Sequence, residues 1–148
     1  MDRIFLTKLQ NELSNDFAHF YQLKDYPHIL LQEWKGFCMP QELKAGHQKV
    51  IDLVTEHHFT HLISVIVELE GSFDEVNEWF LKEFNPKMVE LGMNYEAIIQ
   101  SKNLFSKLSA EELVENSELK EIGYHMRLFD SVNKGLEWFE EEKSENLS

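Results

Sequence analysis

The first residues of the chain carry two competing hydrophobic patterns. Phe5, Leu9 and a leucine four residues further on share one helical face, which predicts a short helix in the N-terminal extension 1–14. Ile4 and Leu6 also fit the alternation of a strand, so the pattern leaves that alternative open.

From residue 16 onward, apolar and polar positions alternate. This alternation predicts a strand at 16–23 and a second strand at 28–34. Pro27 lies in the short turn between them, and Gly36 follows the second strand. Two strands with so short a connection are typical of an antiparallel hairpin.

The rest of the chain alternates between helical and strand patterns. The predicted elements are a helix at 40–57, a strand at 59–67, a helix from Ser72 to Gly92, a strand at 95–100, a helix after Ser109, a strand at 122–129 and a last helix capped by Asp130 or Ser131. Such alternation is typical of an α/β fold with right-handed crossovers. We therefore predict one domain over 1–148, with a five-stranded mixed sheet, helices packed against it and a frayed acidic tail at 141–148.

Two Ser-x-x-Glu sequences predict the starts of helices. Ser72 and Glu75 can each accept a bond from the other's backbone N–H, and Ser109 with Glu112 repeats the spacing. Apolar residues at helical spacing follow both sequences, so we predict that both serines are N-caps.

The charge balance narrows the classes of partner. The 148 residues include 14 lysines and arginines against 27 acids, a formal charge of −13. Nucleic acids and anionic membranes are both bound through basic side chains, so neither is expected as a partner. The single cysteine, Cys38, excludes an internal disulfide. The sequence shows no signal-like or membrane-spanning apolar stretch, which predicts a cytoplasmic protein.

Several short motifs, spread over residues 16–140, form a set. They are 33–37 (EWKGF), 77–80 (NEWF) leading to Pro86, 105–109 (FSKLS), 129–131 (FDS) and 135–138 (GLEW). This set resembles a group of small bacterial proteins of unknown function. Those proteins carry a STAS-like (SpoIIAA-like) domain, the fold of the anti-sigma-factor antagonists. The resemblance implies that fold and assigns no activity.

Ser72 is the first candidate site. The resemblance implies a phosphoacceptor, because STAS antagonists present a serine at the start of the helix after the third strand, where a kinase partner phosphorylates it. The residues themselves favour a plain helix cap, since Asp74 and Glu75 follow Ser72 while Glu68 and Glu70 precede it. Four nearby carboxylates would oppose the added phosphate.

Three histidines and the cysteine are weaker candidates. His57, His58 and His61 are spaced as zinc ligands could be, but they fall in a helix-to-strand connection, which favours a polar loop. Cys38 lacks the histidine and the electropositive setting of a catalytic thiol and is expected to be partly buried and inert. We predict no metal, no cofactor and no catalytic residue.

Trp34, Trp79 and Trp138 are candidates for an interaction surface. Trp79 precedes Phe80 and Trp138 precedes Phe139, and adjacent helical residues diverge by ~100°. One member of each pair is therefore expected at the edge or the surface, where tryptophan anchors protein interfaces. A wide apolar face packed in the core is the alternative.

The resemblance implies a non-enzymatic STAS-like regulatory or protein-interaction domain with a protein partner. The alternative is a carrier of a small apolar ligand or lipid, held in a pocket between sheet and helices. An enzyme is the weakest of the three interpretations. A large apolar cavity would favour the carrier, an exposed aromatic patch the interaction domain, and a cleft with a shifted titratable group the enzyme. Homodimerisation stays open.

Overall fold

A computed structural model describes residues 2–147, with side chains as far as residue 144. The elements in chain order are β1 (Arg3–Gln10), β2 (Asp16–Leu23), β3 (Ile29–Phe37), α1 (Pro40–His57), β4 (His61–Glu70), α2 (Asp74–Trp79), a π-helical turn (Phe80–Phe84), α3 (Asn85–Glu90), β5 (Tyr95–Ile99), α4 (Leu104–Val114), α5 (Ser117–Glu121), β6 (His125–Phe129) and α6 (Val132–Leu147).

The strands form one sheet in the order of the sequence, β1 to β6. β2 pairs antiparallel with both β1 and β3, whereas β3, β4, β5 and β6 run parallel. Parallel neighbours need crossover connections, which α1, α2 with α3, and α4 with α5 supply. The α/β class, the mixed sheet and the hairpin are confirmed. The predicted count of five strands is wrong, because the sheet has six.

The additional strand is β1, which lies where a helix was predicted in 1–14. Its pairing with β2 runs from Arg3 opposite Leu23 to Gln10 opposite Asp16. Backbone pairing satisfies the N–H and C=O groups along the outer edge of β2, which a helix would have left unpaired. The helix prediction is therefore wrong and the alternating pattern was the better guide. Met1 lies outside the described residues.

The sheet separates two hydrophobic clusters. Helices α1 to α5 cover one face, and α6 alone covers the other. Val50, Ile63, Phe80, Ile98 and Leu136 are all buried in these clusters. Val65 is half-buried on the α6 face.

The helix after β4 begins later than predicted. Gly71 turns the chain with a φ of 84°, and the N-cap position of α2 falls on Phe73. The Ser72 hydroxyl instead accepts a bond from the Asp74 N–H at 3.3 Å, so the predicted capping box with Glu75 is wrong.

A π-helical turn joins α2 to α3 just before Pro86, in the middle of the single helix predicted from Ser72 to Gly92. Proline has no N–H, and in a continuous α-helix its ring collides with the carbonyl four residues earlier. The wider turn relieves that collision, and the helix then continues until Gly92, which has a φ of 87°.

The prediction for α4, in contrast, placed its start too late. Asn103 is the N-cap, and its side-chain oxygen accepts bonds from the Phe105 and Ser106 N–H groups. Ser109 is therefore buried within the helix, and the capping box predicted there is wrong.

The C-terminal part agrees more closely with its prediction. α5 was not predicted, and β6 begins at His125 rather than at 122. Ser131 caps α6 as expected, because its hydroxyl accepts a bond from the Lys134 N–H at 3.3 Å. α6 extends through Leu147, so the tail predicted to fray is helical up to that residue, and Ser148 lies outside the described residues.

Candidate functional site

Large apolar side chains are exposed where the parallel strands end. Phe37 is the last residue of β3, and its side chain is 64% exposed. One edge of its ring lies against Gly71, where an added Cβ would come within 2.7 Å of the ring. The positive φ at Gly71 favours glycine, because L side chains rarely adopt that conformation, and an added Cβ would also displace the exposed Phe37 ring.

Asn103 connects this position to α4. Its side-chain oxygen accepts a bond from the Gly71 N–H at 3.3 Å as well as from the N-terminal N–H groups of α4. Leu104 and Phe105 follow directly, and both are 62% exposed. We define the carboxyl-edge patch as Phe37, Met39, Leu104, Phe105 and Leu108, all of which are exposed.

Serine hydroxyls hold α4 against the end of β4 beneath this patch. Ser106 donates to the Gly71 carbonyl at 2.6 Å, and Ser101 donates to the Leu69 carbonyl at 2.9 Å. Ser109 donates to the Asp74 carboxylate at 2.6 Å and accepts from the backbone N–H of residue 73. These bonds satisfy backbone groups that follow β4, so the patch stands on a braced support.

Ser72 lies in this braced region and is exposed. Its hydroxyl is 3.1 Å from the Ser109 hydroxyl, which in turn bonds to Asp74. A phosphate on Ser72 would therefore stand beside the Asp74 carboxylate, and like charges repel. Phosphorylation of Ser72 stays a prediction.

Acidic side chains flank the carboxyl-edge patch. Glu70 lies opposite Phe37 in the register of β3 and β4. The Glu42 carboxylate accepts a bond from the Met39 N–H at 2.8 Å. Lys102 and Lys107 lie on the α4 side and partly offset these charges.

A group of polar side chains is buried on the face of the sheet that helices α1 to α5 cover. Gln32, Ser64 and Glu96 lie on the neighbouring strands β3, β4 and β5. The Gln32 amide donates to the Ser64 hydroxyl at 2.7 Å, and Ser64 donates to the Glu96 carboxylate at 2.7 Å. We call these residues, together with His47 and Tyr124, the buried polar network.

The two ends of the network lie on other elements. Tyr124 lies directly before β6, and its hydroxyl donates a hydrogen bond to the Glu96 carboxylate at 2.6 Å. At the other end, His47 of α1 has Nε2 3.4 Å from the Gln32 amide nitrogen and Nδ1 2.8 Å from the Leu43 carbonyl oxygen. These contacts fit a neutral ring that donates from Nδ1 and accepts at Nε2.

Burial sets the protonation of these groups. It lowers the pKa of His47 to about 4, against an opposing hydrogen bond to the Leu43 carbonyl. It raises the pKa of Glu96, although bonds from Tyr124 and Ser64 act in the opposite direction. It also raises the pKa of Tyr124, and the charge of Glu96 adds to that rise. Each group is therefore held towards its neutral form.

The three predicted tryptophans do not form a common surface. Trp34 is buried against His47, with ring centroids 5.4 Å apart, and its ring fills the space beside Gly46. Trp138 and Phe139 both belong to α6, and both are buried. The prediction that one member of that pair lies at the edge or the surface is therefore wrong. α6 is alone on its face of the sheet, which explains why it needs both rings for cover.

Trp79 agrees better with the prediction, because it is half-buried while Phe80 is buried. The Lys44 ammonium lies 5.9 Å from the centroid of its ring. Trp34 and Trp138 are thus corrected to core residues, and Trp79 alone keeps an exposed part.

The histidines and the cysteine also have structural positions. His57 is the last residue of α1, His58 follows with a φ of 61°, and His61 begins β4. Among the described residues, no three metal-ligating side chains lie close enough to hold a metal ion. Burial raises the pKa of Cys38 to about 12, which keeps the thiol protonated and unreactive.

His61 instead belongs to an aromatic row beneath α6. Its ring stacks on Tyr95 at 5.1 Å and meets Phe139 at 4.6 Å and His28 at 5.3 Å between centroids. Burial lowers the pKa of His61 to about 4, and the nearby charge of His28 acts in the same direction.

Sequence reasoning missed both the patch and the network. The network did leave a signal, because Gln32, Ser64 and Glu96 each adjoin a run of apolar residues within a buried strand. Polar residues inside buried strands usually need partners, so three of them in consecutive parallel strands point to one cluster. The patch left a weaker signal, since its residues belong to segments far apart in the sequence.

A scan of the chain against models of protein families found no match, and neither did a search of curated proteins. Over the part of the chain that the structure describes, none of the helices has both the length and the apolar character needed to cross a membrane. The site is therefore interpreted from its own geometry.

Proposed function

We propose that the protein is a non-enzymatic, STAS-like regulatory or protein-interaction domain, and that a protein partner docks on the carboxyl-edge patch. The exposure of large apolar side chains at one edge of the sheet carries this proposal, with Phe37 at 64% and Phe105 at 62%. Exposed apolar clusters with polar surroundings are typical of interaction sites.

The position of the patch supports the proposal. In α/β sheets, binding sites form outside the carboxyl ends of the parallel strands. Asn103 and the serines beneath α4 fix the backbone there through hydrogen bonds. A rigid support lowers the entropy lost when a partner orders the surface.

Charge selects the kind of partner. The chain carries a net charge of −13, and Glu42 and Glu70 lie directly beside patch residues. The partner should therefore present an apolar anchor flanked by lysine or arginine. Association driven by such charges slows as salt is added. A cytoplasmic location is part of this proposal.

The cavity between sheet and helices does not favour the carrier. Its volume is about 40 Å³, whereas pockets for drug-sized ligands measure roughly 300–1,000 Å³. The shifted group Glu96 lies in this interior space rather than in a cleft. His28 and His61, whose pKa values burial lowers, line an open pocket of about 490 Å³ beside α6, and an enzyme would have to use that pocket.

The proposal is tested by capture of partners from native lysate with three tagged proteins. Phe105→Ser removes a patch residue, and Phe5→Ser is the matched control, because Phe5 is also exposed (54%) but lies on β1. We expect a protein that binds the wild type and Phe5→Ser at low salt and is lost with Phe105→Ser. Equal capture by both variants would contradict the proposal, and sedimentation of the purified protein separates a partner from a second copy of the chain.

The phosphoacceptor role of Ser72 is tested in the same assay. Neither Ser72→Ala nor Ser72→Asp should change stability by more than about 0.5 kcal/mol, because Ser72 is exposed and does not cap α2. Loss of the partner with Asp but not with Ala would support phosphoregulation. Retention of the partner by both variants would show that Ser72 does not regulate partner binding.

A further inference from the structure

A cavity of about 40 Å³ lies between the sheet and the π-helical turn. Gln32 and Glu96 belong to its floor on the sheet, and Phe84 and Asn85 belong to its roof. Every residue that lines it is buried. The space is therefore part of the interior and not an extension of the surface.

Polar atoms without a protein partner line this cavity. Asn85 is 0% exposed, and neither its side-chain oxygen nor its side-chain nitrogen has a hydrogen-bond partner among the described residues. Asn85 lies near enough to Tyr124 to oppose the rise in the pKa of that phenol, but without the geometry of a hydrogen bond. Gln32 is 1% exposed, and its side-chain oxygen is also unpaired in the described part of the chain. Buried polar groups in proteins are nearly always hydrogen-bonded, to protein or to ordered water.

The π-helical turn explains how Asn85 reaches the cavity. A π-turn inserts one residue into a helix, which rotates the residues that follow by roughly 100°. Phe80 and Phe84, the first and last residues of the turn, line the cavity, and Asn85 comes directly after them. π-helical turns inside α-helices are rare, and those that occur are frequently found at functional sites.

We propose that this cavity is a water-binding site, in which one to three ordered water molecules bridge the Asn85 side chain to Gln32 and to the Glu96–Tyr124 pair. A cavity needs roughly 10–15 Å³ to hold one water, and this one provides about 40 Å³. A bound water also needs two to four polar partners. The unpaired atoms of Asn85 and Gln32, with the network behind them, supply these partners.

The chemistry of the walls excludes other small occupants. A cation would need a charged ligand, whereas burial holds Glu96 towards its neutral form. An anion would need basic side chains, and among the described lining residues there is no lysine or arginine. Neutral molecules that both donate and accept hydrogen bonds remain, and water is the one that fits the volume.

A crystal structure of the wild-type chain, before and after exposure to xenon, tests the proposal without any variant. Xenon enters dry apolar cavities and is kept out of hydrated ones. We expect density for water at hydrogen-bond distance from both Asn85 and Gln32, and no xenon in the cavity. Xenon density there, or an organic molecule in place of water, would overturn the proposal.

Solution measurements give a second test with a matched control. Water-oxygen magnetic relaxation counts waters that exchange slowly with bulk solvent. Asn85→Leu should remove at least one such water, whereas Ser106→Ala should remove none, because the Ser106 hydroxyl is similarly buried but is bonded to the Gly71 carbonyl and does not line the cavity. An unchanged count in Asn85→Leu, or an equal loss in both variants, would overturn the proposal. If Asn85→Leu does not fold, Gln32→Leu takes its place with the same expected result.

Discussion

Adjacent residues of β3, β4 and β5 meet opposite surroundings on the two faces of the sheet. Towards helices α1 to α5 the central strands present Gln32, Ser64 and Glu96, joined by hydrogen bonds of 2.7 Å. A cavity and unpaired polar atoms lie above these side chains.

Towards α6 the same strands present apolar side chains. Leu31, Ile63 and Ala97 are buried there in one cluster. An added Cβ on Gly135 would come within 3.0 Å of the Ala97 side chain, so α6 packs closely against the sheet at that point. One helix is enough to cover this face.

The difference between the faces indicates that one face stabilises the fold and that the other serves a different purpose. The α6 face contributes burial of apolar area, which is the dominant favourable contribution to folding. The other face gives up part of that gain to a polar layer whose net contribution to stability is small. Polar groups in such a place are better explained by what they bind than by the stability they add.

The largest effect of a single substitution is expected on the α6 face. Ile63→Ala should lower the free energy of unfolding by about 2–5 kcal/mol, because Ile63 is fully buried and leaves a cavity. Val65→Ala on the same face should have a smaller effect, since Val65 is half-buried. Urea denaturation measures both changes, and a loss below about 0.5 kcal/mol for Ile63→Ala would show that α6 does not seal this face.

The second largest effect is expected from acid, which should lower the free energy of unfolding mainly through a histidine on the face that α1 to α5 cover. His47 has its pKa lowered from 6.5 to about 4, so the unfolded chain binds a proton more readily and stability is lost as the pH falls from 6.5 to 4. The full loss amounts to about 3 kcal/mol for this enclosed group. Thermal unfolding between pH 7 and pH 4 should show a flatter profile for His47→Phe than for the wild type.

His61→Phe is the matched control on the α6 face. The pKa of His61 is lowered to about 4 as well, but its side chain is partly exposed and solvent screens its charge. We therefore expect a smaller flattening than with His47→Phe. The reverse order would assign the main acid sensitivity to the α6 face.

Glu96 should show the opposite dependence on pH. Because burial raises its pKa above the ordinary 4.5, its contribution to stability is present below that value and is lost as the pH rises. Glu96→Gln should therefore gain stability relative to the wild type from pH 5 to pH 8. Glu96→Leu should cost about 1–3 kcal/mol, because it leaves the Ser64 and Tyr124 hydroxyls without their partner. A constant difference between Glu96→Gln and the wild type would contradict the assigned shift.

The smallest effect on stability is expected at the carboxyl-edge patch. Phe105→Ser should change the free energy of unfolding by no more than about 0.5 kcal/mol, since Phe105 is largely exposed. A loss above about 1 kcal/mol would make Phe105 part of the packing. Denaturation of this variant thus establishes that any loss of a partner is a loss of contact.

Local patterns of apolar and polar residues predicted most of the fold. The hairpin, α1, β4 and β5 were predicted because each has one unbroken period and clear end signals such as Pro27 and Pro40. Gly36 misled the prediction, because β3 continues through it to Phe37 rather than ending at residue 34. β1 was not, because its short run fits two periods and its state depends on pairing with β2. Two capping boxes failed for a related reason: the turn at Gly71 and the Asn103 cap, which joins two distant segments, decide where the helices begin.

The site was less predictable than the fold. Trp34 and Trp138 were assigned to a surface by residue type, yet their exposure depends on which helix covers which face. The carboxyl-edge patch and the buried polar network both join residues from distant segments. Only the strand order brings those residues together.

The most direct test of the division between the faces is a combined variant that replaces the whole polar layer with apolar side chains. It carries Gln32→Leu, His47→Phe, Ser64→Ala, Asn85→Leu, Glu96→Leu and Tyr124→Phe. Asn85 is included because it lines the same cavity and would otherwise be left unpaired. Removing one partner leaves others buried and unpaired, whereas removing all of them does not. We predict that each single variant is less stable than the wild type and that the combined variant lies within about 1 kcal/mol of it. A combined loss near the sum of the single losses would contradict the account, because the polar layer would then itself hold the fold together.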